Sequence, residues 1–212
     1  MRVQKRKIFG VGAVLVLCLS AARMTTRLEA QAAGMMAPAK PMPSMGMATT
    51  SPMEGQKAPD FALTSIDGAT VRLSTEVARG PVVLVVLRGW PGYQCPFCTL
   101  QFGEYMAHAG EIAATGARVL FVYPGPADGL KDHGVAFTKG TPLPAPYRLL
   151  LDPDYTFTNA YGLRWDAPQE TAYPSTYVLR QGGVIVLART SHEHGARVPV
   201  ADVLSALGGI KR

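Results

Sequence analysis

Apolar and polar positions along this chain switch repeatedly between the two-residue period of a strand and the longer period of a helix. Pro81 to Leu87 is an unbroken, β-branched apolar run, which suits a central strand buried on both faces. Arg118 to Tyr123 reads as another buried strand. Shorter strands are expected at Phe61 to Leu63 and Thr70 to Leu73, around an Asp67-Gly68 turn, and at Leu149 to Leu151. Thr176 to Leu179 and Val184 to Leu187 form a hairpin pattern across Gln181-Gly182-Gly183. Helical character begins near Pro96 and runs from Cys98 to about Thr115, where Leu100, Phe102, Tyr105, Met106 and Ile112 supply apolar positions and Gly116 a stop. Further helices are expected over Ala127 to Phe137, Tyr155 to Tyr161 (a turn or two) and Val198 to Leu207. Strands alternating with helices and ending in a hairpin predict an α/β fold, a mixed sheet with helices on both faces. This domain occupies residues 56–212, and no internal repeat is visible.

The first 55 residues follow neither period. Arg2, Lys5, Arg6 and Lys7 precede an apolar run from Ile8 to Ala22, and Ala30-Gln31-Ala32 offers a small-x-small site. That is a signal-peptide pattern over residues 1–32, with cleavage after Ala32. The run of 15 residues is shorter than the roughly 20 that a spanning helix needs, which favours removal. A retained leader would instead hold the domain near a membrane. Cys18 follows Val16 and Leu17, where a lipid-attachment site wants small residues, so it reads as a spectator thiol. Residues 33–55 are rich in Pro, Ala, Ser, Thr and Gly and read as a linker. Six of the nine methionines, Met35, Met36, Met42, Met45, Met47 and Met53, fall there. Thioethers suit Cu(I), but a spacer is the simpler expectation.

The net charge of +6 alters when the leader is set aside. Residues 1–32 hold six of the 21 basic and one of the 15 acidic residues, leaving 15 and 14. A net +1 gives no electrostatic footprint for nucleic acid. Losing Cys18 leaves an even pair of thiols, and the expected location is exported, in the periplasm or cell envelope. A disulfide persists there until something reduces it.

That pair is Cys95-Pro96-Phe97-Cys98, a C-x-x-C directly after a buried strand and at the start of a helix. The free N–H groups of a first helical turn stabilise a thiolate, lowering its pKa from about 8.5. With Cys95 as N-cap, Pro96 falls at N1, where its missing N–H costs nothing, and Cys98 falls at N3, within reach of the first sulfur. Cys95 is then expected to be the more exposed sulfur and the more acidic. A redox pair is the direct reading. The alternative is half a zinc site completed by His192 and His194, against which stand the strand–helix context and the lack of a second C-x-x-C. His192 and His194 otherwise read as solvated loop residues, His108 and His133 as structural or surface ones. Asp152, Asp154 and Asp166 read as turn and cap residues.

These residues resemble the peroxiredoxin-like branch of the thioredoxin superfamily, the alkyl hydroperoxide reductase and thiol-specific antioxidant (redoxin) family. Gly55-Gln56-Lys57-Ala58-Pro59-Asp60-Phe61 looks like the family's entry segment, and the likeness runs to about Leu207. Pro91 stands seven before Cys98, as the loop proline does before the peroxide-attacking cysteine, but Cys95 occupies the Thr or Ser position. By that template Cys98 attacks and Cys95 resolves; by the thioredoxin template Cys95 attacks. The resemblance implies a thioredoxin-like fold and a Cys95/Cys98 dithiol–disulfide cycle that reduces hydrogen peroxide or alkyl hydroperoxides. It needs no cofactor or metal, and an external, thioredoxin-like dithiol serves as reductant. The alternative is thiol–disulfide exchange on exported proteins. Tyr173-Pro174-Ser175-Thr176-Tyr177 resembles the segment that faces the cysteines, implying a cis bond at Pro174. Many relatives carry an arginine there; Arg88 and Arg164 are the candidate replacements. Pro91, Gly92 and Tyr93 are expected to shape the substrate loop with Arg88 and Trp90. The N–H groups of Gly92 and Tyr93 are candidates to bind the leaving oxygen, and Trp90, Tyr93 and Phe97 to line the approach.

Overall fold

Seven strands form one mixed sheet in a computed structural model that describes residues 50–92 and 94–210. The leader, Cys18, the cleavage site, the linker methionines before Met53, and Tyr93 lie outside the described residues. The strands are β1 (Ala62–Ser65), β2 (Thr70–Arg72), β3 (Val82–Val86), β4 (Arg118–Gly125), β5 (Tyr147–Pro153), β6 (Ser175–Leu179) and β7 (Ile185–Thr190), in the order β2-β1-β5-β4-β3-β6-β7. β3, β4 and β5 run parallel at the centre, and the other pairings are antiparallel. Every residue of β3 is buried, as its unbroken apolar run requires.

Alternation along the central strands separates two cores. Val83, Val85, Val119 and Phe121 face α2 (Pro96–Ala107), α3 (Ala109–Ala114), α4 (Leu130–Thr138) and α6 (Val200–Gly208). Val82, Leu84, Val86, Leu120 and Val122 face α1 (Leu73–Arg79) and α5 (Thr156–Ala160). The expected helices on both faces are therefore present, and burial of both faces is what closes the domain. Cys95 and Cys98 belong to the first of these cores.

The differences from the sequence reading have local causes. The long helix breaks at His108, whose ψ of 16° leaves the helical range, so that α2 and α3 are separate. Helix α1 has no capping signal of its own; Asp60, distant in sequence, accepts from the Ser74 N–H at 2.8 Å and the Ser74 hydroxyl at 3.0 Å. That carboxylate satisfies one free donor of the first turn from a distant segment, which is why the helix is invisible to a local reading. Asp152 is fully buried and accepts from the N–H groups of Phe157 and Thr158, fixing the start of α5. Burial raises its pKa, opposed by those hydrogen bonds. Among the described residues no helix is long and apolar enough to cross a membrane.

Candidate active site

Gly89 opens the loop between β3 and α2 at φ +68, with the Pro124 carbonyl 2.1 Å from where a Cβ would stand. Only glycine permits that approach, and it lets the Trp90 N–H reach the same carbonyl at 3.3 Å. Gln94 is held between the Tyr123 hydroxyl at 2.8 Å and the His133 carbonyl at 3.0 Å. The chain then enters α2 with Cys95 at the N-cap in extended backbone and Pro96 in the first turn. Cys98 follows on the buried face, and both cysteines are free thiols.

Donors converge on the sulfurs. The Arg88 N–H points at Cys98 Sγ at 3.3 Å. Arg197, in the loop between β7 and α6, places Nη2 3.3 Å from Cys98 Sγ and 3.5 Å from Cys95 Sγ. One guanidinium nitrogen thus bridges the pair. The Cys98 thiol, donating toward Cys95, is the main cause lowering the Cys95 pKa to about 5; burial opposes it, while the Cys98 N–H, Arg197 and Arg88 assist. No N-cap hydrogen bond of ordinary geometry forms, so the effect is one of several partial donors. Cys98 moves the opposite way, well above the ordinary thiol range, because it shares its proton with Cys95 and is buried beside that charge. Arg197 and the Arg88 N–H oppose that rise without reversing it. The two sulfurs titrate as a coupled pair, with Cys95 the more acidic member and the shared proton held toward Cys98.

Cys95 is the more acidic sulfur but not the more exposed: both residues show 1% of their surface. The covering element is the loop from Ser191 to Val198, which carries Arg197 across the sulfurs and packs Gly195 against Phe97. Arg197 was missed in sequence because a lone arginine in a polar loop has no period or spacing to mark it. Of the two arginines favoured by sequence, Arg88 is at the site, with its guanidinium paired to Glu170 at 2.7 Å. Arg164 is not among the groups acting on either sulfur; it donates to the carbonyls of Trp165, Glu170 and Thr171.

Pro174 lines a groove of about 570 Å³ whose wall includes Arg197, Val198 and Pro199. The Tyr173–Pro174 bond is trans, not cis; among the described residues the cis bond is Ala145–Pro146. The Pro174 carbonyl accepts from the Ser191 N–H at 2.9 Å, one step beyond the β6–β7 ladder. Trp90 stacks on His133 at 3.6 Å, on the α4 side of the loop. Pro91 and Gly92 form an outer turn, with Gly92 (φ +104) close to Gln169. The donors found at the sulfurs among the described residues come from Cys98 itself, Arg88 and Arg197, not from Gly92. His192 and His194 are not simply solvated: they pack against Tyr173 and Trp165, and His194 reaches Glu170 at 3.0 Å. His133 and His108 have structural contacts with Trp90 and Glu111. Among the described residues, no group of three or more His, Cys, Asp or Glu is placed to hold a metal.

A sequence model of the AhpC/TSA family matches residues 54–188. Two Mycobacterium tuberculosis proteins, each named "Putative peroxiredoxin", are 30% identical to this chain over 146 residues, spanning 66% of it and 87% of their own length. The crystal structure of peroxidoxin BcpB from Mycobacterium tuberculosis is 22% identical with a TM-score of 0.59, over 75% of this chain and 98% of that one. A structure named "putative Thiol:disulfide interchange protein DsbE", from Chlorobium tepidum, is 24% identical with a TM-score of 0.54, over 74% of this chain and 100% of that one. The sheet and its flanking helices are thus a thioredoxin-like fold. The chain belongs to the AhpC/TSA family, as a peroxiredoxin-like oxidoreductase.

Proposed function

We propose that this enzyme reduces hydroperoxides through a Cys95/Cys98 dithiol–disulfide cycle, with Cys95 attacking first. The observation that carries the reading is Arg197 Nη2, within 3.5 Å of Cys95 Sγ and 3.3 Å of Cys98 Sγ in a covered site. The Cys95 thiolate attacks one peroxide oxygen and the O–O bond breaks. Cys95 becomes a sulfenic acid, and the departing hydroxide or alkoxide takes up one proton from the buffered solvent to leave as water or alcohol. Arg197 is the cation beside the oxygen on which negative charge develops, and such preorganised donors are the strongest lever on this kind of step. Cys98, still protonated, then condenses with the sulfenic acid: an S–S bond forms and water leaves. An external dithiol returns two electrons and two protons by exchange, itself becoming a disulfide.

Between the two cysteine assignments, the acidities favour attack by Cys95, the thioredoxin-like one, within a peroxidase cycle. The covered sulfurs favour a small oxidant over the disulfide of a folded protein, and the relatives named as peroxiredoxins support the same choice. Thiol–disulfide exchange on exported proteins is the second reading, favoured by the low Cys95 pKa alone. Export, to the periplasm or cell envelope, is supported by the basic segment, apolar run and small-x-small site of residues 1–32.

Stopped-flow oxidation of the reduced protein by hydrogen peroxide and by an alkyl hydroperoxide tests the cycle. Cys95→Ser should abolish the reaction, and Cys98→Ser should halt at a sulfenic acid that dimedone captures. Slow peroxide oxidation alongside rapid reduction of insulin disulfides would overturn the reading in favour of the second.

A further inference from the structure

The charged wall of the dithiol site is held from behind. Arg88 contributes its N–H to Cys98, and its guanidinium directs Nε and Nη2 to one oxygen of Glu170, each at 2.7 Å. The other oxygen of Glu170 meets His194 Nε2 at 3.0 Å. His194 belongs to the covering loop, and its carbonyl accepts from Arg197 Nη1 at 2.9 Å, while Nη2 of the same guanidinium faces the sulfurs. A continuous path therefore runs from one carboxylate to each of the two cationic residues at the site. The Glu170 side chain is 11% exposed and that of Arg88 7%, so this ion pair is screened little by solvent.

Other contacts brace the carboxylate without competing for it. Trp165 lies under the Arg88 guanidinium at 5.7 Å and beside the His194 ring at 4.9 Å. The Glu170 N–H donates to Ala167, and its carbonyl accepts from Arg164. Gln169, next to it, meets the Gly92 turn of the cysteine loop. Glu170 thus sits where three loops meet: the one leading to Cys95, its own, and the one carrying Arg197.

We infer that Glu170 is the positioning residue of the dithiol site, fixing directly Arg88, whose N–H meets Cys98, and through His194 Arg197, whose guanidinium faces both sulfurs. The inference rests on the dithiol reading of Cys95 and Cys98 and does not require that the oxidant be a peroxide. It also decides a sign. A carboxylate acting only through space opposes a nearby thiolate, so its removal would lower the Cys95 pKa. A carboxylate that positions two cations has the reverse effect: its removal lets them drift and raises that pKa.

The test is thiolate absorbance at 240 nm against pH for the reduced full-length protein, with Cys98→Ser as background so that one sulfur is read. Glu170→Gln and His194→Ala should each raise the Cys95 pKa, by about one unit for Glu170→Gln and less for His194→Ala, which cuts only the Arg197 arm. An unchanged or lowered pKa in Glu170→Gln, with its folded circular dichroism spectrum intact, overturns the inference. Should Glu170→Gln fail to fold, His194→Ala decides: its ring is half exposed, and a wild-type pKa there overturns the path to Arg197. The readout needs no turnover. A raised pKa in a protein that does not reduce peroxide would sink the proposed substrate while leaving the positioning role in place.

Discussion

Replacing Arg197 by Met keeps much of the side chain's apolar stem and removes the charge beside both sulfurs. Two unit charges 3.5 Å apart, the separation of Nη2 from Cys95 Sγ, attract by ~5 kcal/mol at an effective dielectric of about 20 and by ~1 kcal/mol in bulk water. The lower part of that range applies, because Arg197 is half-buried and the Cys98 donors outrank it in holding the Cys95 pKa down. At about 1.4 kcal/mol per unit, the expected rise is roughly one to two units, to between about 6 and 7. The thiolate fraction at pH 8.5 is then nearly complete in both proteins. A rate deficit measured at that pH reports the transition state and not the thiolate population. Loss of a charge-assisted hydrogen bond of ~1.5–3 kcal/mol predicts about 10- to 100-fold slower oxidation there. Thiolate absorbance at 240 nm gives the first quantity and stopped-flow peroxide oxidation across pH 5 to 9 the second. A wild-type pKa together with a wild-type rate at pH 8.5 would refute the role given to Arg197.

The remaining predictions are simpler. Because the Cys95 pKa is lowered to about 5, the wild-type oxidation rate should be flat from neutral to alkaline pH and fall as pH drops through about 5; an inflection near 8.5 would contradict the assigned thiolate. Gly89→Ala places a methyl against the Pro124 carbonyl at a positive φ and should destabilise the domain by about 3 kcal/mol, read as a lowered thermal midpoint. Asp152→Ala leaves the N–H groups of Phe157 and Thr158 buried without their acceptor and should cost roughly 2–4 kcal/mol by urea denaturation. Expressed with its leader in a secreting bacterium, the chain should yield a mature form starting at Ala33, visible in its intact mass.

The strands were legible wherever burial on both faces writes itself as a continuous apolar run, as in β3 and β4. Their ends shifted by a residue or two because hydrogen bonding continues past the last apolar side chain, as at Pro124 and Gly125 in β4. Helix α1 escaped because its cap lies on another segment, at Asp60. The N-cap position of Cys95 was legible because Pro at N1 fixes the register of the two sulfurs. The trans bond at Pro174 was not, since the spacing of Tyr173-Pro174-Ser175 is the same for either isomer.

What the sequence alone determined, then, is local: alternating strands and helices, and a C-x-x-C whose spacing sets two sulfurs on one helical turn. Tertiary structure decided that both sulfurs are covered and which cation stands over them. Arg197 lies 99 residues from Cys98, and Glu170 lies 82 from Arg88. The physical reason is one of range. Periodicity and capping act over a few residues of backbone, whereas a charge acts through space on whatever the fold brings near it.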